Sequence, residues 1–180
     1  MKKFFSNLKG LFGANIAMDL GTANTLIYIP GEGVLLDEPA VVAVSANGGG
    51  VQAVGLEAKQ MFGRTHSKIK TIRPMKDGVI ADFDVTNQMI THFIKKATKK
   101  IPSLNLRMVI GIPTCITEVE KRAVIEAALN SKASEVYLIQ EPMAAAIGVG
   151  IPIHRPEGNM VIDIGGGTTD VAITSFYKIA

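Results

Sequence analysis

Residues 16–29 read IAMDLGTANTLIYI, and residues 160–173 read MVIDIGGGTTDVAI. Laid side by side without gaps, Asp19 falls on Asp163, Gly21 on Gly165, Thr25 on Thr169 and Ile29 on Ile173. Most other pairs are apolar on apolar. Each copy is an apolar strand ending in Asp, a turn of small and hydroxyl residues, and a second apolar strand. Glycine in such a turn removes the side chain that would keep backbone N–H groups away from a phosphate. Two copies facing each other can grip one polyphosphate from both sides. The repeat therefore predicts a two-lobed nucleotide clamp.

The residue types in and around the repeat suit that chemistry. The first turn is Gly21, Thr22, Ala23 and Asn24; the second is Gly165, Gly166, Gly167, Thr168 and Thr169. Neither is a Walker A loop, since no Lys follows the glycines and no helix is predicted directly after them. A flexible linker would not be flanked on both sides by β-branched strands. Asp19 and Asp163, at strand ends before Gly turns, are well placed to hold hydrated Mg2+ beside phosphates. Taken alone, either one could equally serve only to cap its own turn; the repetition favours the metal-holding role. Glu141, in QEPMAAA (140–146), follows a strand and precedes a helix. A carboxylate there can orient a water for in-line attack on a γ-phosphate. It can equally be an acid placed at a helix N-terminus by the dipole, and spacing leaves both readings open.

Bulk properties narrow the partners. Hydrophobic residues make up 47% and charged ones 19% of the 180, a balance that predicts a folded core. The 19 basic residues include Lys2, Lys3 and Lys9, and the remaining 16 match the 16 acids. The +3 excess therefore sits in the first nine residues, unlike the basic stripe of a nucleic-acid binder. Cys115 is the lone cysteine, which points to a reducing, cytosolic compartment. Spacing implies no histidine partner that would make it a catalytic thiol.

The first residues, MKKFFSNLKGLFG, carry a second signal. On a helix Met1, Phe4, Phe5, Leu8, Leu11 and Phe12 fall on one face, with Lys2, Lys3 and Lys9 on the other and no acid anywhere. This pattern suits a helix lying in the surface of an anionic membrane. A first helix packed on a core or partner is the competing reading. A signal peptide is disfavoured because polar residues interrupt the apolar run.

Strand signals are expected at 16–20, 25–29, 39–45, 51–54, 107–111 and 135–139, besides the second hairpin. Helical spacing is expected over 56–61, 85–100, 118–129 and 143–149. Thr117 and Glu120 form a capping box for the third of these. Residues 64–74 read as a basic loop. Strands alternate with helices after residue 85, so the body is α/β, and about 34–80 reads as a small inserted subdomain.

Together these residues resemble the superfamily of actin, the heat-shock chaperone ATPases and the sugar kinases. Within it, DEPAVVAV, AVGLEAKQMFGRT, IRPMKDGVIADF and EPMAAAIGVGIP resemble the MreB family of bacterial actins. The resemblance implies an actin-like ATPase fold, with a ribonuclease H-like sheet core and flanking helices. It implies a membrane-binding helix at 1–13, subdomain IA at 14–33 and 82–155, subdomain IB at 34–81, and the first hairpin of a second lobe at 156–180. It further implies an ATP-dependent filament protein under the inner face of the cell membrane. Such a protein guides wall synthesis, partners itself and cell-wall elongation proteins, and so keeps rod shape. By that resemblance Asp19 and Asp163 flank the Mg-ATP phosphates, and Glu141 and Thr168 place the hydrolytic water. Members of the family are about twice this length, with the adenosine-binding glycine motifs beyond residue 180. The 180 residues alone are therefore expected to bind ATP weakly or not at all. Two alternatives remain: a truncated, non-catalytic fragment that binds membrane or poisons filaments, and a sugar kinase or chaperone-type ATPase.

Overall fold

The computed structural model describes residues 13–63, 68–99 and 105–179. The amphipathic stretch Met1–Phe12 lies outside the described residues. The chain opens on the first copy of the repeat, strands β1 (Ala14–Leu20) and β2 (Asn24–Ile29), and turns into β3 (Gly33–Pro39). A small unit follows: β4 (Val42–Ser45), β5 (Val51–Val54), α1 (Leu56–Gln60), β6 (Ile69–Ile72), β7 (Met75–Lys76) and β8 (Val79–Ile80). Then come α2 (Phe83–Thr98), β9 (Leu106–Ile112), α3 (Glu118–Asn130), β10 (Ala133–Gln140) and α4 (Glu141–Gly148). The second copy of the repeat, β11 (Asn159–Ile164) and β12 (Thr169–Ser175), ends with the short β13 (Lys178–Ile179).

The main sheet runs β10-β9-β1-β2-β3. β1 pairs antiparallel with β2 and parallel with β9, and β9 pairs parallel with β10. Alternation along β1 sends Ile16, Met18 and Leu20 to one face and Asn15, Ala17 and Asp19 to the other. Met108 and Ile110 of β9 and Ile27 of β2 join the buried face, which α2 and α3 cover with Met89, Ile90, Phe93, Ile94, Val124, Ala127 and Ala128. Burial of each large side chain here stabilises the fold by ~1.5–3 kcal/mol. Both helices start as the sequence dictates. The Asp82 carboxylate accepts from the Val85 N–H at 3.1 Å, and Thr117 and Glu120 form the expected capping box.

The small unit differs from expectation in two places. The strand expected over 39–45 breaks at Ala40 and Val41, because their backbone groups bond elsewhere: the Ala40 N–H donates to the Ala23 carbonyl at 2.9 Å, and the Val41 carbonyl accepts from Gly55 at 2.8 Å. Residues before the break, from Gly33, form β3 on the edge of the main sheet, so that sheet extends into the stretch assigned to the insertion. Within the expected loop 64–74, Ile69–Ile72 is a strand paired to β4. Glu38, buried on β3, accepts from the Leu56 N–H at 3.0 Å and pairs with Lys96 of α2. Gly55, at φ +70, has no side chain to collide with that carboxylate. One residue thus ties the main sheet to the small unit and to α2.

The second hairpin repeats the first in register as well as in sequence. Asp19 lies opposite Leu26 and Met18 opposite Ile27; Asp163 lies opposite Asp170 and Ile162 opposite Val171. Val161, Ala172 and Thr174 are buried, while Met160, Ile162, Ile164, Val171 and Ile173 form an exposed apolar face. Among the described residues, no helix is long and apolar enough to cross a membrane.

Candidate functional site: a carboxylate-floored cleft between two glycine turns

The two turns of the repeat meet. A Cβ on Gly166 would overlap the Ala23 methyl, and one on Gly167 would lie 2.7 Å from Thr22 Cγ2. Neither position admits a side chain without driving the turns apart. Each turn is also tight in itself: a Cβ on Gly21 would sit 2.7 Å from the Asn24 carbonyl oxygen, and Gly165 N–H donates to the Thr168 carbonyl at 2.8 Å. Between them lies a cavity of about 270 Å³, lined by Asp19, Gly21, Thr22, Ala23, Asn24, Glu141, Asp163, Gly165, Gly166 and Thr168, with Leu20, Leu26 and Gly78. Ligand pockets for whole small molecules run to roughly 300–1,000 Å³, so this space matches the phosphate end of a nucleotide.

Of the residues singled out in the sequence, Gly167 and Thr169 do not line the cavity. Gly167 packs on Thr22, and Thr169 starts β12. Asn24 lines it but turns its amide to Asp37, donating at 3.2 Å. The other residues singled out in the two turns, with Asp19, Glu141 and Asp163, line the cavity together.

The floor is acidic. Glu141 is the first residue of α4, with Gln140 as N-cap. Burial, and then the charges of Asp19, Asp170 and Asp163, push its carboxyl up to about 7. Asp19 is raised as well, by burial and then by Asp163. The helix N-terminus favours an ionised Glu141 by ~0.3–1 kcal/mol, which is outweighed by lost hydration and three neighbouring carboxylates. A cation beside these groups would relieve their repulsion. Among the described residues, no group of three or more acids, histidines or cysteines is close enough to enclose a metal. The donor set fits Mg2+, which keeps several waters and takes one or two carboxylates plus phosphate oxygens.

Sequence reading missed three contributors. Gly111 on β9 lies opposite Asp19 in register, and a Cβ there would rest in ordinary contact with Glu141 Cγ at 3.4 Å, so β9 passes directly beneath both carboxyl-bearing chains. Asp170 accepts from the Thr114 N–H at 3.1 Å, joining the second hairpin to the end of β9. Gly78, at the tip of the β7–β8 hairpin with φ +78, donates its N–H to Thr22 Oγ1 at 2.9 Å. Asp-Gly at 77–78 is a visible turn signal; nothing local says that the turn reaches the first glycine loop. Beside the same carboxylates, an apolar trough of about 500 Å³ opens along the outer sheet face past Tyr28, Val109, Ile139 and Ala144.

Two hairpins of one repeat closing over a carboxylate floor, each rooted in its own sheet, define an actin-like ATPase fold. A solved structure of MreB5 of Spiroplasma citri bound to ADP superposes with a TM-score of 0.84 at 37% identity, covering 93% of this chain and 50% of that one. The family model for MreB/Mbl protein matches residues 13–180. The chain belongs to the MreB/Mbl family. It is 51% identical to the cell shape-determining protein MreB of Escherichia coli (strain K12), over 99% of this chain and 52% of that protein. It is 54% identical to the cell shape-determining protein Mbl of Bacillus subtilis (strain 168), over 94% and 51% respectively. The chain thus spans about half the length of the curated relatives it matches.

Proposed function

We propose that this chain carries the phosphate-clamping half of an ATP-dependent, actin-like filament protein that determines rod cell shape by guiding wall synthesis at the inner face of the membrane. The observation that carries the reading is the contact between the two glycine turns above four carboxylates. Its similarity to two cell shape-determining proteins and to a Spiroplasma structure bound to ADP supports it.

The main sheet with α2 and α3 is read as subdomain IA and the β4–β6 unit as subdomain IB. The N-terminal amphipathic stretch, with Phe4, Phe5, Leu8, Leu11 and Phe12 on one face, is read as the membrane anchor. In the cleft, N–H groups of Gly21–Asn24 and of Gly166 and Thr168 bind phosphate oxygens. Asp19 and Asp163 would hold Mg2+ through water, and the ion would supply charge neutralisation at the phosphates. Charge neutralisation at Asp19 and Asp163 would remove part of what raises the Glu141 carboxyl, after burial, and so would favour its ionised form as a proton acceptor for water. Thr168, across the cleft, orients the same water.

A ligand that binds only the folded state raises its melting temperature. Millimolar Mg-ATP should therefore raise that of the purified chain, and Asp19→Ala should lose most of the rise. An equal rise in the variant would overturn the assignment of this cleft to ATP, and no rise in the folded wild type would overturn the claim that this half of the clamp holds the nucleotide by itself.

A further inference from the structure

DEPAVVAV (37–44) lies between the first glycine turn and the small unit, and its hydrogen bonds run to both. On one side it carries the turn. Asn24 stands opposite Pro39, and Thr25 opposite Glu38, in the pairing of β2 with β3. The Asn24 side-chain amide donates to Asp37 at 3.2 Å, and the Ala40 N–H donates to the Ala23 carbonyl at 2.9 Å. A planar trans peptide points its N–H opposite to its carbonyl. By holding the Ala23 carbonyl on the β3 side, Ala40 therefore turns the Asn24 N–H back towards the glycine turn. That N–H is one of the donors assigned above to a phosphate oxygen.

On its other side the same stretch carries the small unit. The Val41 carbonyl accepts from the Gly55 N–H at 2.8 Å, and Glu38 Oε2 accepts from the Leu56 N–H at 3.0 Å. The residue before α1, Gly55, has no side chain to cap that helix; the Glu38 carboxylate, from another sheet, takes its place. The second oxygen, Oε1, pairs with Lys96 of α2. A Cβ on Gly55 would overlap Oε2 and press on Phe93, so glycine leaves the space that the carboxylate occupies.

Stability alone does not call for a glutamate here. Glu38 is 8% exposed, and Thr25 opposite it is fully buried, with a hydroxyl that has no partner among the described residues. A buried ion pair is often no more stable than apolar side chains of the same volume, and an unpartnered buried hydroxyl opposes folding. Lys96 is half-exposed, so water can solvate its ammonium without Glu38. An apolar side chain at position 38 would fill the same space. It would lose the link between α1 and the strand that sets the turn.

We propose that Glu38 is a positioning residue for the phosphate clamp: anchored to α1 and α2, it holds residues 37–40 so that Ala23 and Asn24 present the first glycine turn to a polyphosphate. Glu38 does not line the cleft and acts through the backbone. The role rests on the clamp reading above. It adds that filling the cleft and anchoring α1 strengthen each other, since such coupling is reciprocal.

The test is calorimetric titration of tripolyphosphate with Mg2+ into the purified chain. Glu38→Met keeps the side-chain volume and should stay folded, with an affinity about tenfold below wild type. Glu38→Gln keeps an acceptor for the Leu56 N–H at about half the strength of a carboxylate, so its loss should be about threefold. Thr117→Ala, which weakens α3 and lies outside the cleft, should bind as wild type does. Amide exchange gives a second readout, which a role in stability alone would not move. Leu56 begins a five-residue helix and exchanges by local opening. Saturating tripolyphosphate should slow that exchange in wild type and not in Glu38→Met. Should Glu38→Met fail to fold, the Leu56 rate in wild type still decides. Wild-type affinity in Glu38→Met, equal losses in Glu38→Met and in either Glu38→Gln or Thr117→Ala, or a Leu56 rate unchanged at saturation would overturn the positioning role and leave the clamp standing. A folded wild type that does not bind tripolyphosphate would refute the clamp and this role with it.

Discussion

Replacing Glu141 with Gln should stabilise the chain at pH 8 and give no such gain at pH 4.5. The carboxyl is raised from its ordinary 4.5 to about 7. Between those values the folded state holds a proton that the unfolded state has released, so stability is lost as pH rises through that window. At 1.36 kcal/mol per pH unit the displacement corresponds to ~3.4 kcal/mol. Glu141 is half-buried in an open cleft, so solvent screening reduces this figure. Loss of the favourable helix N-terminal charge, ~0.3–1 kcal/mol, subtracts further. A net gain of ~1 kcal/mol at pH 8 remains, or ~2–4 °C in melting temperature for a chain of this size. Asp19 is shifted in the same direction by burial and Asp163, so some loss of stability with rising pH should persist in the variant. Urea unfolding of wild type and Glu141→Gln at the two pH values measures the difference directly. A gain of the same size at both, or destabilisation at pH 8, would refute the view that Glu141 is a strained carboxylate among like charges.

Two further outcomes follow from contacts around the cleft. Thr117→Ala removes the hydroxyl half of the capping box at α3, leaving the residue-117 N–H to donate to Glu120, and should cost ~1 kcal/mol in urea unfolding, with a cost below a few tenths counting against it. Gly78→Ala would place a Cβ 2.8 Å from both Pro113 Cγ and Thr168 Cγ2 at φ +78. It should therefore destabilise by ~1–3 kcal/mol and speed amide exchange at Gly165–Thr168; unchanged exchange there would separate the β7–β8 hairpin from the second glycine turn.

The repeat was the legible part of this fold, because Asp, Gly and Thr at fixed offsets between β-branched strands carry their meaning locally. It located the cleft, and the structure adds that the two hairpins share one pairing register. Other features were set by tertiary contact. β3 escapes the strand pattern because Val34 and Leu35 are both exposed while Leu36 and Glu38 are buried; pairing to β2 holds it. Ile69–Ile72 is short and basic-flanked, and becomes a strand through the edge that β4 offers. Gly111 matters for its register opposite Asp19 and its nearness to Glu141, and Asp170 for a backbone N–H 56 residues away in sequence. Neither distance can be read along the chain.

The account's central claim is that the two copies of the repeat clamp a polyphosphate between them. Calorimetric titration of tripolyphosphate into the purified chain, with and without Mg2+, tests it without calling on adenosine contacts. The account predicts saturable, Mg2+-dependent binding that falls at least ~tenfold in Gly166→Val, whose side chain would collide with Ala23. Absence of binding to a folded wild-type chain, or equal binding in a folded Gly166→Val variant, would contradict it.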